Sequence, residues 1–216
     1  MIKLENNIMM QKATGFTLLA CSALFGFSLA SGASAADVAK LTETCANCHG
    51  KDGASTESEV PIIGGMSAEY LKLSLISYKK KERPCPETEV KTGDKKGTKT
   101  DMCKVAKELS DGDIKDLAGY YAGKKFVRAK QKFDPALAKK GKEIHDVNCD
   151  KCHSNSGSAA SDDAGILAGQ WMPYLDETFK QYSAGKRPME QKMKPKMEKL
   201  DKAGFDALVN FYGSFQ

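Results

Sequence analysis

The sequence predicts an all-α chain built from two tandem copies of one helical domain. Three observations carry this. The string Cys-x-x-Cys-His occurs twice, at Cys45-Ala-Asn-Cys48-His49 and at Cys149-Asp-Lys-Cys152-His153. Apolar residues recur at i, i+3, i+4 and i+7 near the end of each half: Ile114, Leu117, Ala118 and Tyr121 in one, Phe205, Leu208, Val209 and Tyr212 in the other. That spacing is one face of a helix. No run reads as a strand.

The duplication is explicit when the chain is laid on itself. At an offset of 104 the two Cys-x-x-Cys-His strings superimpose, and the match runs on for forty positions without a gap. Tyr70 falls on Tyr174, Leu71 on Leu175, Tyr78 on Tyr182, and Arg83-Pro84 on Arg187-Pro188. The offset then becomes 91, pairing Met102 with Met193, Leu109 with Leu200, Leu117 with Leu208 and Tyr121 with Tyr212. The first half therefore carries a 13-residue insertion between Pro84 and Met102.

Each half should hold the same elements. One helix leads into each Cys-x-x-Cys-His; in the second half Asp134-Pro135 supplies an N-cap followed by proline at the first helical position. A second helix is expected from near Ser67 and near Met172. A third covers about 111–123 and 202–214, with Ser110 and Asp113 resembling a capping box. The lysine-rich stretch 124–133 has no periodicity and is the expected linker, dividing domains at 36–128 and 129–216. Each half has only about 85–95 residues and few large apolar side chains, which is marginal for an independent core.

Residues 1–35 are set aside as an export signal. Lys3 and Lys12 precede an apolar run near 16–30, and Ala33-Ser34-Ala35 forms a small-x-small cleavage signature. The apolar run is short of the ~20 residues a membrane span needs. A lipoprotein site at Cys21 is the weaker alternative, since Leu19 is large for it. No other segment could span a membrane. Export places the protein in the periplasm, an oxidising compartment.

The formal net charge is +5; the signal removes Lys3, Glu5 and Lys12 and so one positive charge. Lysines cluster at 91–99, 124–142 and 192–202. Such runs are solvated faces more often than docking surfaces, and the balance is no argument for nucleic acid.

The chemistry lies in the cysteines and histidines. There are 7 Cys and 3 His, and two of the histidines follow a Cys-x-x-Cys pair. Two cysteines three apart can each form a thioether to one vinyl group of the same haem, with the next histidine under the iron. A zinc or redox reading of Cys-x-x-Cys is weak when His follows both times in an exported chain. The sequence thus predicts two covalently bound haem c groups, on Cys45 and Cys48 and on Cys149 and Cys152. His49 and His153 would be axial ligands. The four propionates would roughly cancel the positive charge, and the haems would supply the missing apolar core.

A thioether sulfur on the far side would raise the reduction potential, as suits an electron carrier. The repeat selects Met102 and Met193, each seven residues before a leucine. Met66 aligns with Gln170 and Met172 with Ala68, so both read as packing residues. Met189 and Met197 flank Met193 and remain alternatives at the second site. Two His/Met irons would leave no open position, so both should be low-spin and closed to carbon monoxide.

Cys85 and Cys103 bracket the insertion. A disulfide there would close a loop of about 18 residues, worth roughly 3 kcal/mol. Two free thiols, or Cys103 as an iron ligand in place of Met102, are the alternatives. His145, one helical turn before Cys149, reads as a surface or packing residue. Trp171 is expected to pack near the second haem. No paired carboxylates, serine triad or phosphate loop stands out.

With these motifs in place the chain resembles dihaem cytochromes of the c4 type over nearly all of its length after the signal. The markers are the attachment motifs, Gly169-Gln170 before Tyr174-Leu175, Leu109-Ser110-Asp111-Gly112-Asp113-Ile114, and Leu117-Ala118-Gly119-Tyr120-Tyr121. The second half is similar to the cytochrome subunit of flavocytochrome c sulfide dehydrogenases. Phe133–Ala138, Ile166–Leu175, Arg187–Met193 and Asp206–Tyr212 carry that likeness. The resemblance implies two tandem class I cytochrome c domains related by a pseudo-twofold axis. It also implies a complex with an FAD-containing subunit that oxidises sulfide and hands electrons to one haem, the other passing them to a soluble acceptor such as a small cytochrome c. The chain would then be an electron-transfer subunit, with no catalytic residue of its own. The competing readings are a free c4-like carrier to a terminal oxidase or other reductase, and a dihaem enzyme acting on a sulfur compound or peroxide. The insertion has no place in the family pattern.

Overall fold

The computed structural model describes residues 35–216, and among them no helix is long and apolar enough to cross a membrane. The expected export signal lies outside the described residues, apart from Ala35 at the start of the first helix.

The helices begin where local chemistry says they should. In the first half α1 spans Ala35–His49 and runs through the whole first attachment motif. Helix α2, Ala68–Lys79, starts on Ser67, whose side chain accepts from Tyr70 N. Helix α3, Met102–Lys107, starts on Asp101, which accepts from Lys104 N. Helix α4, Asp111–Ala122, opens with a complete Ser110/Asp113 capping box. Each such cap satisfies amide donors that a helix leaves orphaned, and is worth about 1 kcal/mol.

The second half repeats the scheme. Helix α5, Pro135–Asn148, starts on Asp134, which accepts from Ala136 N and Leu137 N. A short turn α6, Ser154–Gly157, follows the second attachment motif. Helix α7 spans Met172–Ser183, α8 Lys194–Met197 and α9 Lys202–Gly213. The stretch 124–133 is without helix or strand, yet it is docked: Ala129 N donates to Gly169 O, and Gln131 bridges Gln170 O and Met172 N.

The insertion departs from the expectation that no strand exists. It forms a small antiparallel hairpin, β1 at Thr88–Glu89 and β2 at Lys99–Thr100, in register Thr88 with Thr100 and Glu89 with Lys99. Two-residue strands are too short for an alternating pattern to appear in sequence. What holds the hairpin is non-local. Cys85 and Cys103 are joined at its base with Cα atoms 5.8 Å apart, and Val90 is buried. Beyond the strands, Lys91 N and Thr92 N both donate to Asn47 O in the last turn of α1. The insertion thus caps a helix end that lies inside the first attachment motif.

Two apolar clusters form the core. The first gathers Met66, Leu71, Leu109, Ile114, Leu117, Ala118 and Tyr121, with Ile166 contributed by the second half. The second gathers Leu175, Phe179, Met197, Leu208, Val209, Phe211 and Tyr212. The loop after each attachment motif is pinned in the same way. Ile63 N and Gly64 N donate to Gly53 O, as Leu167 N and Ala168 N do to Gly157 O. Gly65 N donates to Tyr121 O and Gly169 N to Tyr212 O, both at 2.8 Å. Gly65 and Gly169 sit at φ of 80° and 84°, a conformation glycine adopts without steric cost. Helices α5 and α9 cross with their backbones close: a Cβ on Gly141 would lie 2.1 Å from Ala207 O.

Candidate haem sites

None of the four attachment cysteines, Cys45, Cys48, Cys149 and Cys152, is taken up in a disulfide. Cys45 lies on the inner side of α1 beside Tyr121, and burial pushes its thiol above the ordinary value. Cys149 follows the end of α5 beside Tyr212 and is raised by burial too. The two motifs are not presented identically: α1 carries all of the first, whereas α5 stops at Asn148 and the second continues in turns, with His153 N donating to Cys149 O.

His49 is 8% exposed, and its Nδ1 lies 2.9 Å from Pro61 O. A carbonyl can only accept, so Nδ1 carries the proton and Nε2 keeps its lone pair. Burial also depresses its basicity, which keeps the ring neutral. This is the tautomer an iron-ligating imidazole requires. His153 is half-buried near His145 and Asp162, and burial lowers its basicity as well.

The methionines keep the relation that the repeat assigned. Met102 is the first residue of α3, and Met193 immediately precedes α8 and packs against the second core. Met197 falls on Ala106 at the same offset; both side chains are buried, at 8% and 0% exposure. Met197 thus occupies, in the second core, the place that Ala106 takes in the first half. Met66 is buried in the first core and Met172 packs against the second, as read from their partners.

Between the halves lies a cluster that sequence reasoning noted as matched pairs but gave no role. Arg83 and Arg187 are both buried. Arg83 stacks on Tyr78 with Cζ 4.2 Å from the ring centroid, and Arg187 on Tyr182 at 4.7 Å. Arg187 also donates to Thr178 Oγ1 at 3.2 Å and to Tyr70 OH at 3.4 Å, across the two halves. Burial raises the Tyr174 phenol, but Arg187 and Arg83 outweigh it and bring it down to about 7. Among the described residues no carboxylate forms an ion pair with either arginine, and Arg83 Nε is buried without a partner. Two buried cations that lack counter-ions call for acid groups. Haem propionates have that chemistry, so the residues fit the group.

Of the two readings of His145, surface or packing, the structure shows packing: it is fully buried, with Nδ1 2.9 Å from Tyr212 OH and Nε2 3.4 Å from Asp150 Oδ1. Its counterpart in the first half is Leu41. Burial depresses its basicity below the unfolded value of 6.5. Above pH ~7 it is neutral in both states and contributes nothing to pH dependence. Below 6.5 the unfolded chain takes up a proton that the folded chain resists, so stability falls with pH. Thermal melts of the holoprotein at pH 7 and pH 5 should show that loss, and His145→Leu should flatten it. Trp171 stands at the N-cap of α7. Its indole N–H donates to Ser55 O of the first half at 3.0 Å, so it serves the contact between halves.

Together these features define a class: a covalent dihaem protein made of two copies of one helical haem-binding domain. Comparison with known proteins agrees. The family description "Cytochrome c" matches residues 35–122. Cytochrome c4 of Pseudomonas aeruginosa is 29% identical over 181 residues, covering 79% of this chain and 81% of the relative. Cytochrome c-554(548) of Halomonas halodenitrificans is 37% identical over 79 residues, 37% of this chain and 82% of the relative. The crystal structure of reduced recombinant cytochrome c4 from Pseudomonas stutzeri superposes with a TM-score of 0.67 at 24% identity, covering 85% of this chain and 99% of that one. The chain belongs to the cytochrome c family, as a dihaem member of the cytochrome c4 type. It carries two covalently bound haem c groups and is an electron carrier.

Proposed function

We propose that the chain relays single electrons through two closed His/Met haem sites, taking them from a separate oxidoreductase and passing them to a soluble acceptor. When bound, each haem supplies a one-electron couple between ferric and ferrous iron. His49 and Met102 would ligate the first iron, His153 and Met193 the second. Arg83, Arg187 and the four tyrosines 70, 78, 174 and 182 would hold propionates at the contact between halves, keeping the haems near each other and water away. The Cys85–Cys103 disulfide ties the hairpin to the start of α3 and so restrains the loop that carries Met102. The observation that carries this reading is the buried, singly tautomeric His49 within a twice-used scaffold whose repeat pairs Met102 with Met193. We place the chain in the periplasm, with the export signal ending near Ala35. The domain division falls at 128/129, within the stretch that lacks helix and strand.

The donor we favour is an FAD-containing sulfide dehydrogenase subunit, on the strings Ile166–Leu175 and Arg187–Met193. A free c4-like carrier is the second reading, favoured by the cytochrome c4 relatives. Purification of the native holoprotein separates them. The first reading expects a yellow flavin chromophore to co-purify, and sulfide to reduce the oxidised haems within the mixing time. Haems that sulfide reduces only slowly, in a protein always isolated without flavin, would leave the free carrier.

A further inference from the structure

The second half reaches into the first at a point that bears on its haem ligand. Gln170 is fully buried, and its side-chain amide pairs with the backbone of Ile62: Ile62 N donates to Gln170 Oε1 at 2.9 Å, and Gln170 Nε2 donates to Ile62 O at 2.9 Å. Only one amide orientation satisfies both bonds. Gln170 is itself held by Gln131, which donates to its carbonyl, and by its own N–H to Leu167 O. The position that matches it in the first half is Met66, a core residue with no such capability.

The Ile62 N–H belongs to the same peptide unit as the Pro61 carbonyl, and that carbonyl accepts from His49 Nδ1. The three groups therefore form one chain: His49 Nδ1–H to Pro61 O, then through the peptide from Ile62 N–H to Gln170 Oε1. Hydrogen bonds in series polarise one another, by ~10–30% per bond. Accepting from Ile62 N–H makes the Pro61 oxygen more negative and a better acceptor for the histidine proton. A more strongly held proton makes the imidazole a better electron donor through Nε2.

We infer that Gln170 is a positioning residue for the first haem. From the second half, it strengthens the His49–Pro61 hydrogen bond and so lowers the reduction potential of the first haem. This rests on the reading of His49 as an axial ligand. Docking of one half on the other is then part of what sets the order in which the two haems fill. Gln170→Met, the residue of the matching position, removes the amide while keeping a side chain of similar length.

The test is a redox titration of the full holoprotein, with each haem followed by its own hyperfine-shifted methyl resonances in NMR. In Gln170→Met the reduced-to-oxidised ratio of the first haem at a fixed potential should rise about threefold to tenfold, a tenfold change being about 59 mV for one electron. The second haem should not move. Gln170→Glu keeps an acceptor for Ile62 N–H and should hold the first potential at or below that of the parent. A merely structural role would move the Met and Glu variants in the same direction. An unmoved first haem, or equal shifts of both haems, overturns the proposal. A parent whose first haem lacks the NMR signature of a ligated His49 overturns it too, and identifies the ligand reading as the part that failed.

Discussion

Met193→Ala should convert the second haem from a closed to an open centre, while Met197→Leu leaves it closed. On the proposed His/Met ligation, the parent protein should bind no carbon monoxide when reduced at neutral pH. Removing the Met193 thioether leaves His153 as the sole protein ligand, and one equivalent of carbon monoxide per chain should then bind with its Soret shift. The same change removes the ligand that favours ferrous iron, so the second potential should fall. Met197 is the control because the repeat places it on Ala106, at a buried packing position of the short helix that follows each ligand loop. Its replacement by leucine nearly conserves volume and should cost under about 1.5 kcal/mol. Carbon monoxide binding by the parent, or by the Met197 variant alone, would reassign the ligand.

The second large effect is predicted at Gly141. A leucine in mid-helix would ordinarily gain about 1 kcal/mol over glycine. Here the added Cβ would sit 2.1 Å from Ala207 O and 2.6 Å from the Phe211 Cβ, both on α9. Neither a backbone carbonyl nor a Cβ can move aside without shifting the helix. Gly141→Leu should therefore block the α5–α9 crossing and with it loading of the second haem, halving haem absorbance per chain. Gly141→Ala should cost at least about 1–3 kcal/mol. Gly119 gives the opposite sign: it lies on the exposed face of α4, and a Cβ added there would meet nothing within 4 Å. Gly119→Ala should stabilise by roughly 0.5–1 kcal/mol. Denaturant titration of the three variants decides whether helix propensity or close approach governs these positions.

Much of this architecture was legible because it is local or repeated. Helix starts at Ser67, Ser110 and Asp134 follow from side chains a few residues away. The attachment motifs announce themselves, and the duplication pairs Met102 with Met193. What could not be read depends on residues far apart in the chain. The hairpin is held by a disulfide and by Asn47, not by strand periodicity. Gln170 grips a backbone 108 residues away, and Trp171 one 116 residues away. His145 is polar on an otherwise ordinary helix, and its contacts with Tyr212, 67 residues further on, and with the adjacent Phe211 accompany its burial. One string that pointed to a flavoprotein partner, Ile166–Leu175, is largely occupied inside the chain. Ile166 lies in the first core, Gln170 and Trp171 join the halves, and Leu175 lies in the second core. Its distinctiveness reflects internal assembly as much as any external contact.

The disulfide at the base of the hairpin has a consequence for how the protein is made. On the proposed export to the periplasm, six cysteines among the described residues must meet opposite fates in one oxidising compartment. Cys85 and Cys103 have to give up two electrons and two protons to an external disulfide oxidant, whereas Cys45, Cys48, Cys149 and Cys152 must remain reduced until haem arrives. The hairpin that the disulfide closes sits against Asn47, between the two cysteines of the first motif. Maturation therefore needs a reductant selective for the Cys-x-x-Cys pairs, or haem attachment fast enough to precede oxidation. A chain matured in the wrong order would carry mispaired sulfurs where its first haem belongs.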